Sequence, residues 1–227
     1  MMKTKEYYIE NLNVLYEDNH LIVIEKPVKV LSQKDETEDF DINEIVKEYL
    51  KRKYNKPGNV YLGLVHRLDR RVGGVLVLAK TSKAASRLSE DIRNDHFEKY
   101  YICKCNGIIE KDGSININIR KDEKTKKAIV DKNGKPSSLD YKILGYDNDM
   151  TYCYINLHTG RYNQIRVSFS YINHYLVNDY KYGNCKMNKN DLGLWCYKIV
   201  ITHPITKEKL TFKSQPKGYI WNNLKLK

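Results

Sequence analysis

The chain has 227 residues, 41% of them hydrophobic, which is enough to bury a core and too many for an intrinsically disordered segment. A formal net charge of +12 suits a polyanionic partner, but a composition rich in Lys, Asn, Ile and Tyr can equally reflect nucleotide bias in the gene, with the charge then serving plain solubility, so charge alone does not choose between the two. No apolar run reaches the roughly 20 residues of a membrane helix, and MMKTKEYYIENLN lacks the apolar stretch of a secretory signal, so a soluble, cytoplasmic protein with no membrane partner is expected.

VLYED and HLIVIEKP, meeting at Asp18 and Asn19, predict a two-stranded hairpin. From Asp41 onward, Ile42, Ile45, Val46, Tyr49 and Leu50 follow helical spacing, with Asp41 and Glu44 as a capping pair and an end before Pro57-Gly58. The short apolar runs VYLGLV and VLVLAK read as buried strands that hold the polar stretch HRLDRRVGG between them. Ser82 is placed to cap a second helix, with Ala85, Leu88 and Ile92 on its inner stripe and Asn94 at its end. YYICKCNG, SININI, SSLDYKIL and MTYCYINLH then follow as strands in series, which favours antiparallel pairing over βαβ units. The very basic segment 120–136 reads as a loop or an irregular hairpin. A third helix is predicted after Thr159-Gly160, where Ile165, Phe169 and Ile172 share a face, and strands around WCYKIVIT and KLTF close the chain. With no internal repeat and no long linker, these elements make one α+β domain over residues 1–227. The five cysteines are odd in number and lie mostly in apolar or aromatic runs, so they read as reduced and mainly core. Cys103 and Cys105 share one face of a strand, but no C-x-x-C accompanies them, and no metal site is expected.

Two stretches carry candidate chemistry. In HRLDRR, residues 66–71, Arg67, Arg70 and Arg71 crowd the single carboxylate of Asp69. An extended backbone would point Arg67, Asp69 and Arg71 to one side, and the positive neighbours favour the ionised acid. A structural ion pair at a strand end is the plainer reading, but Gly73 and Gly74 permit close approach of a ligand or another backbone. In TGRYNQIR, residues 159–166, a helix start after Thr159-Gly160 offers amide groups to a phosphate, with Arg161 as a donor fork and Arg166 beyond. Competing motifs lack their parts. His96-Phe97-Glu98 matches half of a zinc deaminase signature without its P-C-x-x-C, and no phosphate-binding loop, dinucleotide fingerprint, esterase elbow or H-E-x-x-H occurs. His66, His158 and His203 have no partner at ligand spacing, and hydrogen-bonding roles are expected for them.

With these residues in view, LVHRLDRRVGGVLVLAKTSKAASRL closely resembles the catalytic motif of the RluA-type pseudouridine synthases. TGRYNQIR and NDYKYG resemble that family's later motifs, VLYEDNHLIVIEKP its opening hairpin, KYYICKCNG its tyrosine motif and ITHPITKEKLTF its closing strands. The resemblance covers roughly residues 12–213. It implies an α+β pseudouridine synthase fold with a central mixed, largely antiparallel sheet, flanking helices and an RNA-binding cleft. It also implies that Asp69 is the catalytic aspartate, Tyr101 the tyrosine that packs on the target base, and Arg166 the basic partner of the aspartate. Ile165 would line the pocket, and Arg67 would fill the space left by a flipped nucleotide. Arg161, Gln164 and Arg70 complete the expected substrate-binding set. The plainer readings are core filling for Tyr101 and a contact to RNA backbone for Arg67.

The sequence departs from the family pattern at Asn163, where a His is usual, at Asn178, where a Gly usually precedes the Asp, at Trp195, a common His position, and at Arg71-Val72-Gly73. These bear on substrate choice more than on chemistry. No amino-terminal RNA-binding domain is expected before the first strand, so recognition would rest on the catalytic domain, working as a monomer on RNA and not on DNA. The resemblance points first to large-subunit ribosomal RNA and second to transfer RNA. A non-catalytic RNA-binding or assembly protein is the rival reading, and retention of Asp69, Tyr101 and Arg166 together argues against it. Because no ligand cluster or nucleotide loop is legible, no cofactor is expected. Turnover should therefore persist in excess EDTA, with magnesium controlled separately because it folds RNA. Loss of turnover on dialysis and recovery with zinc would contradict this.

Overall fold

Asp18 turns the first hairpin. In a computed structural model of the protein, describing residues 4–36, 39–186 and 191–226, its Oδ1 accepts from the amides of His20 and Leu21, both at 2.7 Å. Its Oδ2 accepts from the Tyr16 hydroxyl at 2.9 Å. A short polar side chain that satisfies the amides of a turn competes well with continued strand. β1 (Val14–Glu17) thus folds back on β2 (Leu21–Lys26).

The chain divides into two compact units, Met1–Phe97 with Lys198–Ser214, and Glu98–Tyr197 with Gln215–Lys227. In the first, β2 pairs antiparallel with β4 (Gly73–Ala79), and β3 (Gly63–Leu64) pairs with the far end of β4. Leu21, Ile22, Val23 and Ile24 are all fully buried, as is the whole of Val75–Ala79. Continuous rather than alternating apolar runs are what strands covered on both faces require. Helix α1 (Lys5–Glu10), not foreseen from the sequence, is tied to α2 (Ile42–Lys53) by an ion pair between Glu6 and Arg52. Asp41 caps α2 as expected, accepting from the Glu44 amide at 2.8 Å. The Glu44 carboxylate does not return the bond and instead meets Lys34. Helix α3 (Ser82–Arg93) is capped by Thr81 rather than by Ser82, the hydroxyl of Thr81 accepting from Ala84 N. Ala84 and Leu88 are its buried residues. The run VYLGLV, expected as a buried strand, pairs only at Gly63 and Leu64, and Tyr61 is exposed.

In the second unit, β5 (Glu98–Asn106) pairs with β9 (Met150–Leu157), and β9 with β8 (Lys135–Asp147). β8 in turn pairs with β6 (Gly113–Asp122), and β6 with β7 (Lys127–Val130). Residues 120–136 are therefore the hairpin of the two expected alternatives and not a loop: the end of β6 turns back on β7, and a further turn leads into β8, which pairs with the earlier part of β6. Helix α4 (Gln164–Tyr171) follows β9. Strand β10 (Leu194–Thr202) contributes residues to both units and pairs with β11 (Lys209–Lys213) through Lys198–Thr202. All of these pairings are antiparallel, in line with the expectation from strands in series. No helix among the described residues is long and apolar enough to cross a membrane.

Strand β2 ends on a lysine that water does not reach. Lys26 is fully buried, and its ammonium donates to Pro27 O at 2.9 Å and Val30 O at 2.7 Å. Burial pushes its pKa down to about 7, with the Asp69 carboxylate opposing the shift and Arg70 adding to it. Between about pH 7 and 10.5 the unfolded chain thus holds a proton at this site that the folded protein has lost. Over that window raising the pH adds stability, at a slope of at most about 1.4 kcal/mol per pH unit. Urea unfolding of the wild type and of Lys26→Met across this range should show the wild type gaining stability relative to the variant as pH rises. Parallel pH profiles would contradict the assignment.

Candidate active site

Asp69 lies on the connection from β3 to β4, residues 65–72, and nearly every residue there is held by a named bond. His66 accepts from Val77 N through Nε2 at 3.0 Å, and its ring meets Phe97 at 5.1 Å. Leu68 is buried, and both its amide and its carbonyl bond to the hydroxyl of Ser32, at 3.0 and 2.6 Å. Lys29 N donates to Arg70 O at 2.7 Å. Asp69 itself opens a turn: its carbonyl accepts from Val72 N at 3.0 Å and its Oδ1 from Arg71 N at 2.9 Å. The connection is therefore a turn here and not the extended backbone that would point Arg67, Asp69 and Arg71 to one side, because the aspartate side chain satisfies an amide that an extended chain would leave open. Asp69 is half-buried and Arg67 exposed, while Arg70 makes an ion pair with Asp39 at 2.7 Å. Gly74, entering β4, has φ +119, a conformation closed to residues with a Cβ.

In the second unit, Tyr101 sits on β5 opposite Ile155 and is only 7% exposed. Burial, and then the Cys196 thiol beside it, hold its phenol well above the usual tyrosine range, so the ring is a neutral apolar surface. Ile165 and Arg166 are both buried on α4. Arg166 grips Asp179 with two bonds, Nε to Oδ2 at 2.8 Å and Nη2 to Oδ1 at 2.7 Å, and its guanidinium lies 5.1 Å from the centre of the Tyr182 ring. Asp179 also accepts from the amides of Lys181 and Tyr182, so its side chain, with no exposed surface, is well provided with donors. A bidentate charge pair of this kind fixes the plane of the guanidinium. Asp179 was not singled out from the sequence. Its place in NDYKYG was the available signal, and its partnership with Arg166, thirteen positions earlier, needed the fold.

Gln164, expected among the substrate-binding residues, uses its amide internally and is 3% exposed. Its Oε1 accepts from the Thr159 hydroxyl and from Arg161 N, at 2.8 and 2.9 Å, and its Nε2 donates to Ser138 O. It therefore shapes the turn into α4, and one of the amides expected to greet a phosphate, that of Arg161, is already taken. The Arg161 Nε donates to Pro136 O at 2.9 Å, beside a cavity of about 580 Å³ with Asn118, Lys132, Ser138, Thr159 and Tyr171 among its lining. Asn163 and Asn178 both have positive φ, +51 and +63. Asparagine is among the few residues other than glycine that adopt this conformation readily, which explains how Asn178 serves where the resemblance leads one to expect Gly. Asn163 also donates to the Tyr182 hydroxyl at 3.0 Å.

The expected site residues thus fall into two sets: Arg67, Asp69 and Arg70 in the first unit, and Tyr101, Arg161, Gln164, Ile165 and Arg166 in the second. Among the described residues, one group has metal-like spacing. Cys103, Cys105 and Cys153 hold their sulfurs within 4.8 Å of one another. Cys153 joins the other two because it pairs directly with Cys103 across β5 and β9, a neighbour that single-strand spacing could not reveal. All three are fully buried, and burial raises the Cys103 thiol well above its usual range. A neutral Cys103 thiol in a dry core packs as a small apolar group, while hydrogen bonds from the Cys103 and Cys153 thiols draw Cys105 below its usual range. The histidines hydrogen-bond as expected, His158 to Asp140 at 2.7 Å and His203 to Asp18 at 2.8 Å.

Comparison with known proteins finds relatives of this chain in sequence and in fold. The model of the RNA pseudouridylate synthase family matches residues 20–171. The ribosomal large subunit pseudouridine synthase C of Buchnera aphidicola subsp. Schizaphis graminum is 32% identical over 231 aligned positions, covering 96% of this chain and 72% of that protein. The synthase of the same description from subsp. Acyrthosiphon pisum is 34% identical over 183 positions, covering 79% of this chain but 55% of its own length. The ribosomal large subunit pseudouridine synthase D of Nitrosomonas europaea is 29% identical, covering 89% and 61%. The fold is shared with human RNA pseudouridylate synthase domain containing 4, at a TM-score of 0.77 and 20% identity over 93% of this chain and 92% of that one. The human domain containing 1 protein shares it at 0.75 and 21%, over 95% and 86%. With the family model matching well over half of the sequence, the chain belongs to the RNA pseudouridylate synthase family.

Proposed function

We propose that the protein isomerises uridine to pseudouridine in ribosomal large-subunit RNA, with Asp69 as the essential carboxylate. The observation that carries this reading is the Asp69 turn, a half-buried carboxylate pinned by the Arg71 amide within the span that matches the family model. The names of the relatives support the choice of RNA. The reaction breaks the bond from nitrogen 1 to the sugar, turns the base, and joins carbon 5 to the sugar, with a proton leaving carbon 5 and one gained at nitrogen 1. Nothing is oxidised and no group is added, so a carboxylate, a surface to hold the base and positive charge for the phosphates suffice. The base must also leave its stack.

In this reading Tyr101 and Ile165 pack on the extruded base, and Arg67 takes the space it leaves. Arg166 completes the catalytic set, and Arg161 with Arg70 holds backbone phosphates. Gln164 supports the substrate by keeping Arg161 in position. Residues 1–227 act as a single catalytic domain, since the span 20–171 that matches the family draws on both units. The protein works as a monomer in the cytoplasm, and not on DNA.

Asp69→Asn should abolish pseudouridine formation, mapped in ribosomal and transfer RNA from cells with and without the gene, while folding and RNA affinity survive. Undiminished product from this variant would refute the assignment. The two arginines should separate binding from chemistry. Arg161→Ala should weaken RNA binding and flatten the dependence of log affinity on log salt by roughly one unit, one phosphate contact being lost. Arg166 calls for a gentler change, because removing one member of a buried pair costs about 3–5 kcal/mol. Arg166→Lys keeps the charge for Asp179, and it should chiefly lower the single-turnover rate at saturating RNA. Equal effects of both substitutions on binding and rate would overturn this division.

A further inference from the structure

The segment that follows β2 makes more contact with the Asp69 turn than a connecting loop requires. The Ser32 hydroxyl, on a residue 5% exposed, donates to Leu68 O at 2.6 Å and accepts from Leu68 N at 3.0 Å, so one side chain closes on both backbone groups of the residue before Asp69. Three residues earlier, Lys29 N donates to Arg70 O at 2.7 Å, on the other side of the aspartate. Asp69 is therefore bracketed by three bonds from one segment, two on Leu68 and one on Arg70.

That segment is itself built to be rigid. Lys26 ties Pro27 O and Val30 O through its buried ammonium, and Lys29 stands at φ +70. Beyond Ser32, the Asp41 carboxylate accepts from Lys34 N at 2.7 Å, and Ile42 N donates to Leu31 O at 2.8 Å, which fastens the segment to the start of α2. Two anchors thus flank Ser32, one in β2 and one at α2, and its hydroxyl passes their rigidity to the aspartate. Displacing a reacting group by about 1 Å can lower a rate about 100-fold without disturbing the substrate's hold.

We infer that Ser32 is a positioning residue for Asp69, its hydroxyl fixing the carboxylate for reaction through the backbone of Leu68. The inference rests on the reading of Asp69 as the essential carboxylate. If it is right, Ser32→Ala should lower the single-turnover rate at saturating RNA by about 10- to 100-fold and leave RNA affinity within about two-fold, the signature of an interaction used in the transition state. The Leu68 amide should exchange hydrogen faster in the variant while the amides of β2 and β4 stay protected, which a general loss of packing would not produce. Ser32→Cys, nearly the same size with a weaker hydrogen-bonding group, keeps the test open if the alanine variant does not fold, and its rate should also fall. Ser32→Thr, which retains the hydroxyl, should recover most of the rate. A folded Ser32→Ala or Ser32→Cys at full rate, a loss of RNA affinity in proportion to rate, or a folded Ser32→Thr as slow as the alanine variant would overturn the inference. Asp69→Asn measured alongside separates the two claims. If it remains active, the reading of Asp69 has failed; if it is inactive and Ser32→Ala is fully active, only the role of Ser32 has.

Discussion

The antiparallel register of β2 on β4, running from Leu21 opposite Ala79 to Lys26 opposite Gly74, is the constraint on which the Asp69 turn depends. A slip of one residue would turn every side chain of a strand to its opposite face, and with both strands buried almost throughout, packing does not tolerate it. The register delivers the end of β2 beside the start of β4. The residues after Lys26 therefore run past the residues before Gly73, and the bonds from Lys29 and Ser32 to Arg70 and Leu68 follow from that adjacency. Gly74, at positive φ, lets the chain enter β4 directly from the turn.

The second unit solves a related problem with charge. A buried ion pair is weak evidence of stability, since desolvating both groups can offset their attraction. The pair of Arg166 and Asp179 is better understood as orientation. Two bonds fix the guanidinium edge, the Lys181 and Tyr182 amides both donate to Oδ1 of the aspartate, and the Tyr182 ring packs on the cation. The hydroxyl of that tyrosine accepts from Ala128 N of β7 and from the Asn163 side chain at the start of α4. One aromatic residue thus joins the hairpin of β6 and β7 to the helix that carries Arg166, so that the hairpin and the candidate catalytic arginine share a support.

Much of this was legible in the residues. The opening hairpin could be read because Asp18 and Asn19 interrupt two apolar runs. The second helix could be read because its apolar residues recur at helical spacing behind Asp41. Asp69 stood out as one acid among arginines, and Asn94 ended α3 where expected. The misplaced details were those in which neighbouring hydroxyls compete, as with Thr81 and Ser82, or in which an apolar run has too few partners, as with VYLGLV. Residues 120–136 looked irregular because their charge hid the alternation of a strand. Within them Ala128 is nevertheless buried, in one apolar cluster with Ile119 of β6.

What the sequence determined by itself was the kind of elements, their order, and the residues rich in chemistry, because these depend on periodicity, capping and local charge, all encoded within a few positions. What only the tertiary structure decided was which side chain serves which. Asp179 belongs to Arg166, Ser32 to Leu68, Cys153 to Cys103, and Gln164 to its own loop instead of an outside ligand. Most of these pairings join residues far apart in the chain, where local patterns carry no information. Strand register and burial choose the partner, because a buried polar group must find a hydrogen bond wherever packing leaves it.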